Sequence, residues 1–173
     1  MDAAFLAISA LAATLAGAQI PDALETEAGT LRLVSCGVRD TLWVDHYVAG
    51  LYVPPGATAQ AVRDAGEPKA VRMQVLNAQW LPDNVPEKWR GALRKELRRE
   101  PMAQVRAAYH RLTDGDVVTF TYLPGSGGVR MTVNGHRVMQ TPGHEVIQTI
   151  LEAWAERDPI SGKLHRLRLE HPC

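Results

Sequence analysis

Residues 45–56, DHYVAGLYVPPG, constrain the fold more than any other stretch. Read as a strand, the even positions Val48, Gly50 and Tyr52 and the odd positions Tyr47, Ala49, Leu51 and Val53 are both apolar. A strand with one wet face alternates apolar and polar residues. This one needs a cover on each face, and what supplies the two covers decides the architecture.

At 173 residues the chain can build one core but not two of comfortable size. A single domain is expected. Its 19 Lys+Arg balance 19 Asp+Glu, so no global field draws nucleic acid or an anionic surface. His46, His110, His136, His144, His165 and His171 show no HxxxH or HExxH spacing, and no metal or other cofactor is expected.

The uncharged run 3–18, rich in Ala and Leu and ending in Ala16 and Ala18, reads as an export leader cut after Ala18, with residues 19–173 as the domain. It departs from the pattern in having Asp2 and no Lys or Arg before the apolar run, which leaves a cytoplasmic chain open. The run is shorter than the roughly 20 residues that span a bilayer, so no stable membrane anchor is expected. Export would suit a disulfide between Cys36 and Cys173 in a periplasmic or secreted monomer. Two unrelated thiols, with Cys36 packed as a small hydrophobe, are the alternative.

Strands are expected at 31–36 and 41–53, joined by a break around residues 39–41, and at 70–77, with a short helix at 58–65 between them. In residues 83–100, Val85, Trp89, Ala92, Leu93 and Leu97 fall at helical spacing, opposite a basic face that reads as a solvated surface. A second helix at 102–112 sets Met102, Val105, Ala108, Tyr109 and Leu112 on one side. Strands at 117–123, 129–134 and 137–140 form a meander, with Asn134-Gly135 as a hairpin signal. Helices are expected at 142–156 and 159–169. Strands and helices are segregated, which indicates α+β with a mostly antiparallel sheet.

The order GVRDTLWVDHYVAGLYV, DGDVVTFTYLPGSGGVRMTVNG and EAWAERDP resembles the bacterial chalcone isomerase-like family over about residues 20–169. The resemblance implies an open-faced β-sandwich: a large curved antiparallel sheet, a layer of helices on one face, and a ligand cleft between them. Plant chalcone isomerases close a ring by adding a phenolate across an enone, with an arginine polarising the carbonyl in a dry pocket. Arg39 matches that arginine. Tyr47 stands where those enzymes have a threonine, Trp80 falls near their tyrosine and supplies only an N–H donor, and Glu87, Lys88 and His136 fall near their other contacts. Chalcone isomerase activity is therefore not expected.

Plastid fatty-acid-binding members of the family keep the arginine and have a tyrosine at the position of Tyr47. A guanidinium fork and a phenol suit a carboxylate. The resemblance thus implies a non-catalytic protein binding a small amphipathic carboxylate or other small apolar ligand through Arg39 and Tyr47, with Trp43, Met73, Trp80 and Met131 as walls. Two alternatives stay open: an isomerase or lyase of unknown substrate using Arg39 as electrophilic stabiliser, for which no recognisable motif places a base and Asp40 and His46 are near only in sequence, and a periplasmic interaction protein with a vestigial cleft.

Overall fold

The computed structural model describes residues 12–41, 44–57, 62–81, 93–94, 97 and 99–155. Among the described residues nine strands run in chain order: β1 (Ala12–Leu15), β2 (Ala18–Pro21), β3 (Ala23–Thr26), β4 (Gly29–Thr41), β5 (Val44–Val53), β6 (Lys69–Val75), β7 (Val117–Leu123), β8 (Gly128–Val133) and β9 (His136–Thr141). Among the described residues two α-helices, α1 (Arg99–Tyr109) and α2 (Glu145–Ala155), accompany them. β3 to β9 form one seven-stranded sheet in sequential order, every neighbour antiparallel, curled into a half-barrel. The expected α+β class and curved antiparallel sheet are what the chain builds.

Register explains the doubly apolar strand. Tyr47, Ala49, Leu51 and Val53 of β5 face a main core with Val71, Met73, Phe120 and Met131 from the sheet, and Met102, Val105, Val146, Ile147, Ile150 and Leu151 from α1 and α2. Leu93 and Leu97, from the expected helical stripe, join them. Val48 and Tyr52 face a smaller outer core with Leu31, Val38, Ala70, Ala18 and Ile20. The outer cover is the hairpin β1–β2, whose turn at Ala16 (φ 50°) and Gly17 (φ 80°) has the left-handed backbone of a two-residue hairpin. Ile20, 2% exposed, contributes about 1.5–3 kcal/mol by its burial there.

Gly50 lets that cover close. A Cβ at this position would stand 2.8 Å from Leu33 Cδ1, 3.1 Å from Tyr52 Cε2 and 3.3 Å from Ile20 Cγ2. The glycine of VAGLYV is thus a contact between layers rather than a turn.

Two irregularities shape β4 and β5. Leu33 pairs with Tyr52 and Ser35 with Leu51, so Val34 is an extra residue that bends β4 and carries Leu33 to the outer face. Arg39 pairs with Tyr47 and Asp40 with Asp45, which makes His46 an extra residue on β5.

Several boundaries differ from the sequence-based expectation. The break expected around residues 39–41 is strand, because the bulge at His46 lets β4 pair as far as Thr41. The helix expected at 102–112 runs from Arg99 to Tyr109. Pro101 lies in its first turn, where an amide has no intrahelical acceptor to lose. Residues 12–15, within the stretch read as a leader, form β1, and strands β2 and β3 were not expected. The helix expected at 159–169, most of residues 83–98 and residues 58–61 lie outside the described residues. No helix among the described residues is long and apolar enough to cross a membrane.

One end of the space between sheet and helices is closed by Lys69. Its buried ammonium donates to Val62 O at 2.9 Å and to Asp64 O, and the Tyr122 hydroxyl donates to Ala65 O. The opposite end carries the groups of chemical interest.

Candidate functional site

That opposite end is one row of the sheet. Arg39 on β4 pairs with Tyr47 on β5, and Tyr47 pairs with Val75 on β6. Residues directly opposite in an antiparallel pair project to the same face, about 5 Å apart at Cβ. The row is fixed by backbone bonds around the bulge: His46 O accepts from Leu76 N at 2.9 Å and Asn77 N at 3.3 Å, and Asn77 Nδ2 donates to Asp45 O at 2.8 Å. Bulges recur where a strand has to re-aim a side chain.

The segment after α1 is tied to the same row. Gly115 N donates to Val75 O and Val75 N to Asp116 O, both at 2.9 Å, while Ala78 N donates to Asp114 Oδ1 at 2.6 Å. These bonds tie the turn after α1 to Val75, the partner of Tyr47, while Tyr109 packs on the main core.

The electrostatics agree with that placement. Tyr47 is 6% exposed, and burial pushes its hydroxyl well above the ordinary phenol range, opposed by the Arg39 guanidinium and reinforced by Tyr109. Burial likewise pushes Tyr109 up to about 12, again opposed by Arg39. Both phenols are therefore protonated donors at neutral pH. The half-buried Arg39 side chain forms no ion pair or hydrogen bond with the described residues. His46, 7% exposed, is held below the ordinary histidine value by burial and then by Arg39, against Asp40 and Asp45.

The structure thus brings Arg39 and Tyr47 together and adds Met73, buried one pair further along the same face, where it pairs with Ala49. Met131 is buried four strands away from Arg39, between Phe120 and Met139, in the core. Trp80 does not form a buried wall: after Asn77 the chain makes one 3₁₀ turn, Ala78–Trp80, that leaves the indole 57% exposed. Cys36 lies opposite Gly50 and packs on the outer core, on the other face of the sheet from Arg39. Trp43 and Cys173 lie outside the described residues. The sequence shows Tyr109 only as part of a helical apolar stripe, although a tyrosine in such a stripe raises the question of what its hydroxyl meets.

A curled antiparallel meander with helices on one face, bearing a guanidinium and a phenol at one end of the layer between them, defines an α+β fold of the chalcone isomerase type with a corner suited to an anion. The model of the family described as chalcone isomerase-like matches residues 12–169, and the chain belongs to that family. Among solved structures, the fold is similar to that of a fatty-acid binding protein of Arabidopsis thaliana, with a TM-score of 0.60 and 14% identity over 87% of this chain and 92% of that one. A search of curated proteins by sequence returns no match.

Proposed function

We propose that this protein binds a small amphipathic carboxylate, without catalysis, in the layer between sheet and helices. The observation that carries this reading is Arg39, a half-buried cation with no acidic partner among the described residues, facing the buried donor Tyr47 at the edge of an apolar core. A guanidinium presents a planar pair of N–H donors to a carboxylate, and the phenol adds a third. The apolar part of the ligand would lie against Met73 and its neighbours. The likeness to a fatty-acid binding protein supports the choice of a fatty acid.

Native mass spectrometry of protein purified from its host tests the reading. A retained acid of fatty-acid mass that is absent from an Arg39→Ala preparation supports it. Preparations equally empty, with no binding of added palmitate, overturn it.

An enzymatic use of Arg39 would need a base, and His46, kept neutral beside it, is the candidate. Turnover of an enone substrate, lost in both Arg39→Ala and His46→Gln, would move the protein into that class.

The same reading includes export and pairing of Cys36 with Cys173. In the chain-entropy model a loop of this length stabilises by up to about 4–5 kcal/mol. Mass spectrometry of non-reduced periplasmic protein should show a mass two hydrogens below the dithiol, and two freely alkylated thiols would refute the pairing. The same spectrum reports whether the N-terminus is Gln19 or still includes β1.

A further inference from the structure

The outer core extends across the sheet as far as Ala70 on β6. Beyond it the register brings polar side chains to the outer face in two rows, Arg72–Thr119–Thr132–Arg137 and Thr121–Arg130–Gln140. Phe120 and Met131 join the main core, and successive residues of a strand alternate faces, so Thr121 and Arg130 lie on the opposite face of the sheet from Tyr47 and Arg39. The sequences of β6, β7, β8 and β9 contain no Asp or Glu, and this part of the outer face is cationic.

Thr121, Leu123, Ser126, Gly128, Arg130 and Gln140 line a recess there of about 190 Å³, counting the space open to solvent. Its walls are tied to one another. Arg137 Nη1 donates to Gln140 Oε1 at 3.4 Å, Gln140 Nε2 to Ser126 O at 3.5 Å, and Ser126 Oγ to Leu123 O at 3.2 Å. Gly127 (φ 97°) lets the loop close on Gln140, since a Cβ there would stand 2.6 Å from Gln140 Nε2.

Arg130 is engaged on one side only. Its Nη1 donates to Glu27 Oε1 at 2.8 Å, from the turn between β3 and β4. Its Nε is buried and has no hydrogen-bond partner. Nε and Nη2 form the side edge of a guanidinium, which a phosphate or carboxylate takes with two parallel bonds, and Nη1 is not part of that edge. Buried donors are nearly always paired, so the edge calls for an acceptor that the described residues do not supply.

We propose that this recess holds the phosphate group of a small soluble ester, with two oxygens on Nε and Nη2 of Arg130 and a third on the hydroxyl of Thr121, its direct strand partner. A phosphate keeps an oxygen for the hydroxyl after filling the fork, whereas a carboxylate spends both of its oxygens there. Arg72 and Arg137 in the neighbouring row supply positive potential that offsets Glu27. The recess is smaller than the roughly 300 Å³ at which pockets begin to enclose a whole ligand, so it suits one headgroup-sized moiety. Among the described residues these four strands expose no large apolar side chain that would enter a bilayer.

NMR titration of the full chain with inorganic phosphate and with glycerol phosphate, at constant ionic strength, tests the site. Saturable shifts are expected in the amides of Thr121, Ser126 and Gly128, with those of Arg39 and Tyr47 unmoved. Arg130→Gln should weaken binding about tenfold to a hundredfold, the range for hydrogen bonds to a charged group. Glu27→Gln should tighten it about twofold to fivefold by removing a neighbouring like charge. Glu27 is exposed, so this second variant decides the matter even where Arg130→Gln fails to fold. Shifts centred on Arg39 and Tyr47, shifts reproduced by chloride, or unchanged affinity in the variants would each overturn the proposal. Co-sedimentation with vesicles containing phosphatidic acid, without a response to either soluble phosphate, would overturn it in favour of a membrane surface.

Discussion

Arg39 and Tyr47 are direct partners across β4 and β5, with the extra residue His46 inserted immediately before Tyr47. The pairing puts a fixed cation and a buried phenol on one face, at the edge of the main core. Arg39→Ala should therefore weaken a bound fatty acid by about 1.5–3 kcal/mol, the range for hydrogen bonds to charged groups. Arg39→Lys should recover only part of this, because an ammonium is a point charge without the planar fork. Fluorescence or calorimetric titration measures both, and equal affinity in all three proteins would remove the seat.

The protonation of the two phenols gives a second expectation. Burial holds Tyr47 above the ordinary phenol range and Tyr109 up to about 12, so both remain neutral donors where a free phenol ionises, near pH 10. Arginine also keeps its charge throughout. Affinity for palmitate should stay level between about pH 7.5 and 10.5. A fall centred near pH 10 would indicate an exposed phenol or a lysine as the anchor.

Gly50 yields a prediction on stability. The nearest atom to an added Cβ is the end of a movable Leu33 side chain, but Tyr52 and Ile20 close the other sides. Gly50→Ala should destabilise by about 1–3 kcal/mol, as overpacking of a filled core does. Chemical denaturation checks this. If the loss disappears when Leu33→Ala is added, the clash lies at Leu33; if it persists, Tyr52 and Ile20 account for it.

Much of this fold is legible in local pattern. The meander after residue 117 announces itself through alternation and through Asn134-Gly135, whose φ values of 50° and 80° suit a two-residue hairpin. The apolar positions of both faces of β5 are equally visible, but the identity of the outer cover is not. Residues 12–18 belong to the run with the composition of a leader, and the pairing of β1 with β2 and the packing of Leu15, Ala18 and Ile20 with Val48 and Tyr52 are features of the tertiary structure alone. Arg39 and Tyr47 are suggested by family resemblance, whereas their pairing depends on the bulge at His46, which no local signal marks. The bonds joining residues 115 and 116 to Val75, the partner of Tyr47, are likewise a tertiary feature that no local pattern announces. Trp80 shows the reverse failure, since a large apolar residue next to a core strand is turned outward by one 3₁₀ turn.

His46 makes the stability of the fold depend on pH. Burial of the ring and the neighbouring Arg39 disfavour the imidazolium more than Asp40 and Asp45 favour it, so the folded value lies below that of the unfolded chain, near 6.5. The unfolded state then binds more protons than the native state in the interval between the two values. The contribution of the neutral ring is fully present above about pH 6.5 and is lost as the pH falls from there toward the folded value. Comparing urea midpoints at pH 8 and pH 5.5 in wild type and His46→Gln isolates the effect, because the carboxylates common to both proteins cancel. Wild type should lose more stability than the variant over that interval. Equal losses would show that the imidazole titrates in the fold as it does in the unfolded chain, and that the bulge imposes no cost on its protonation.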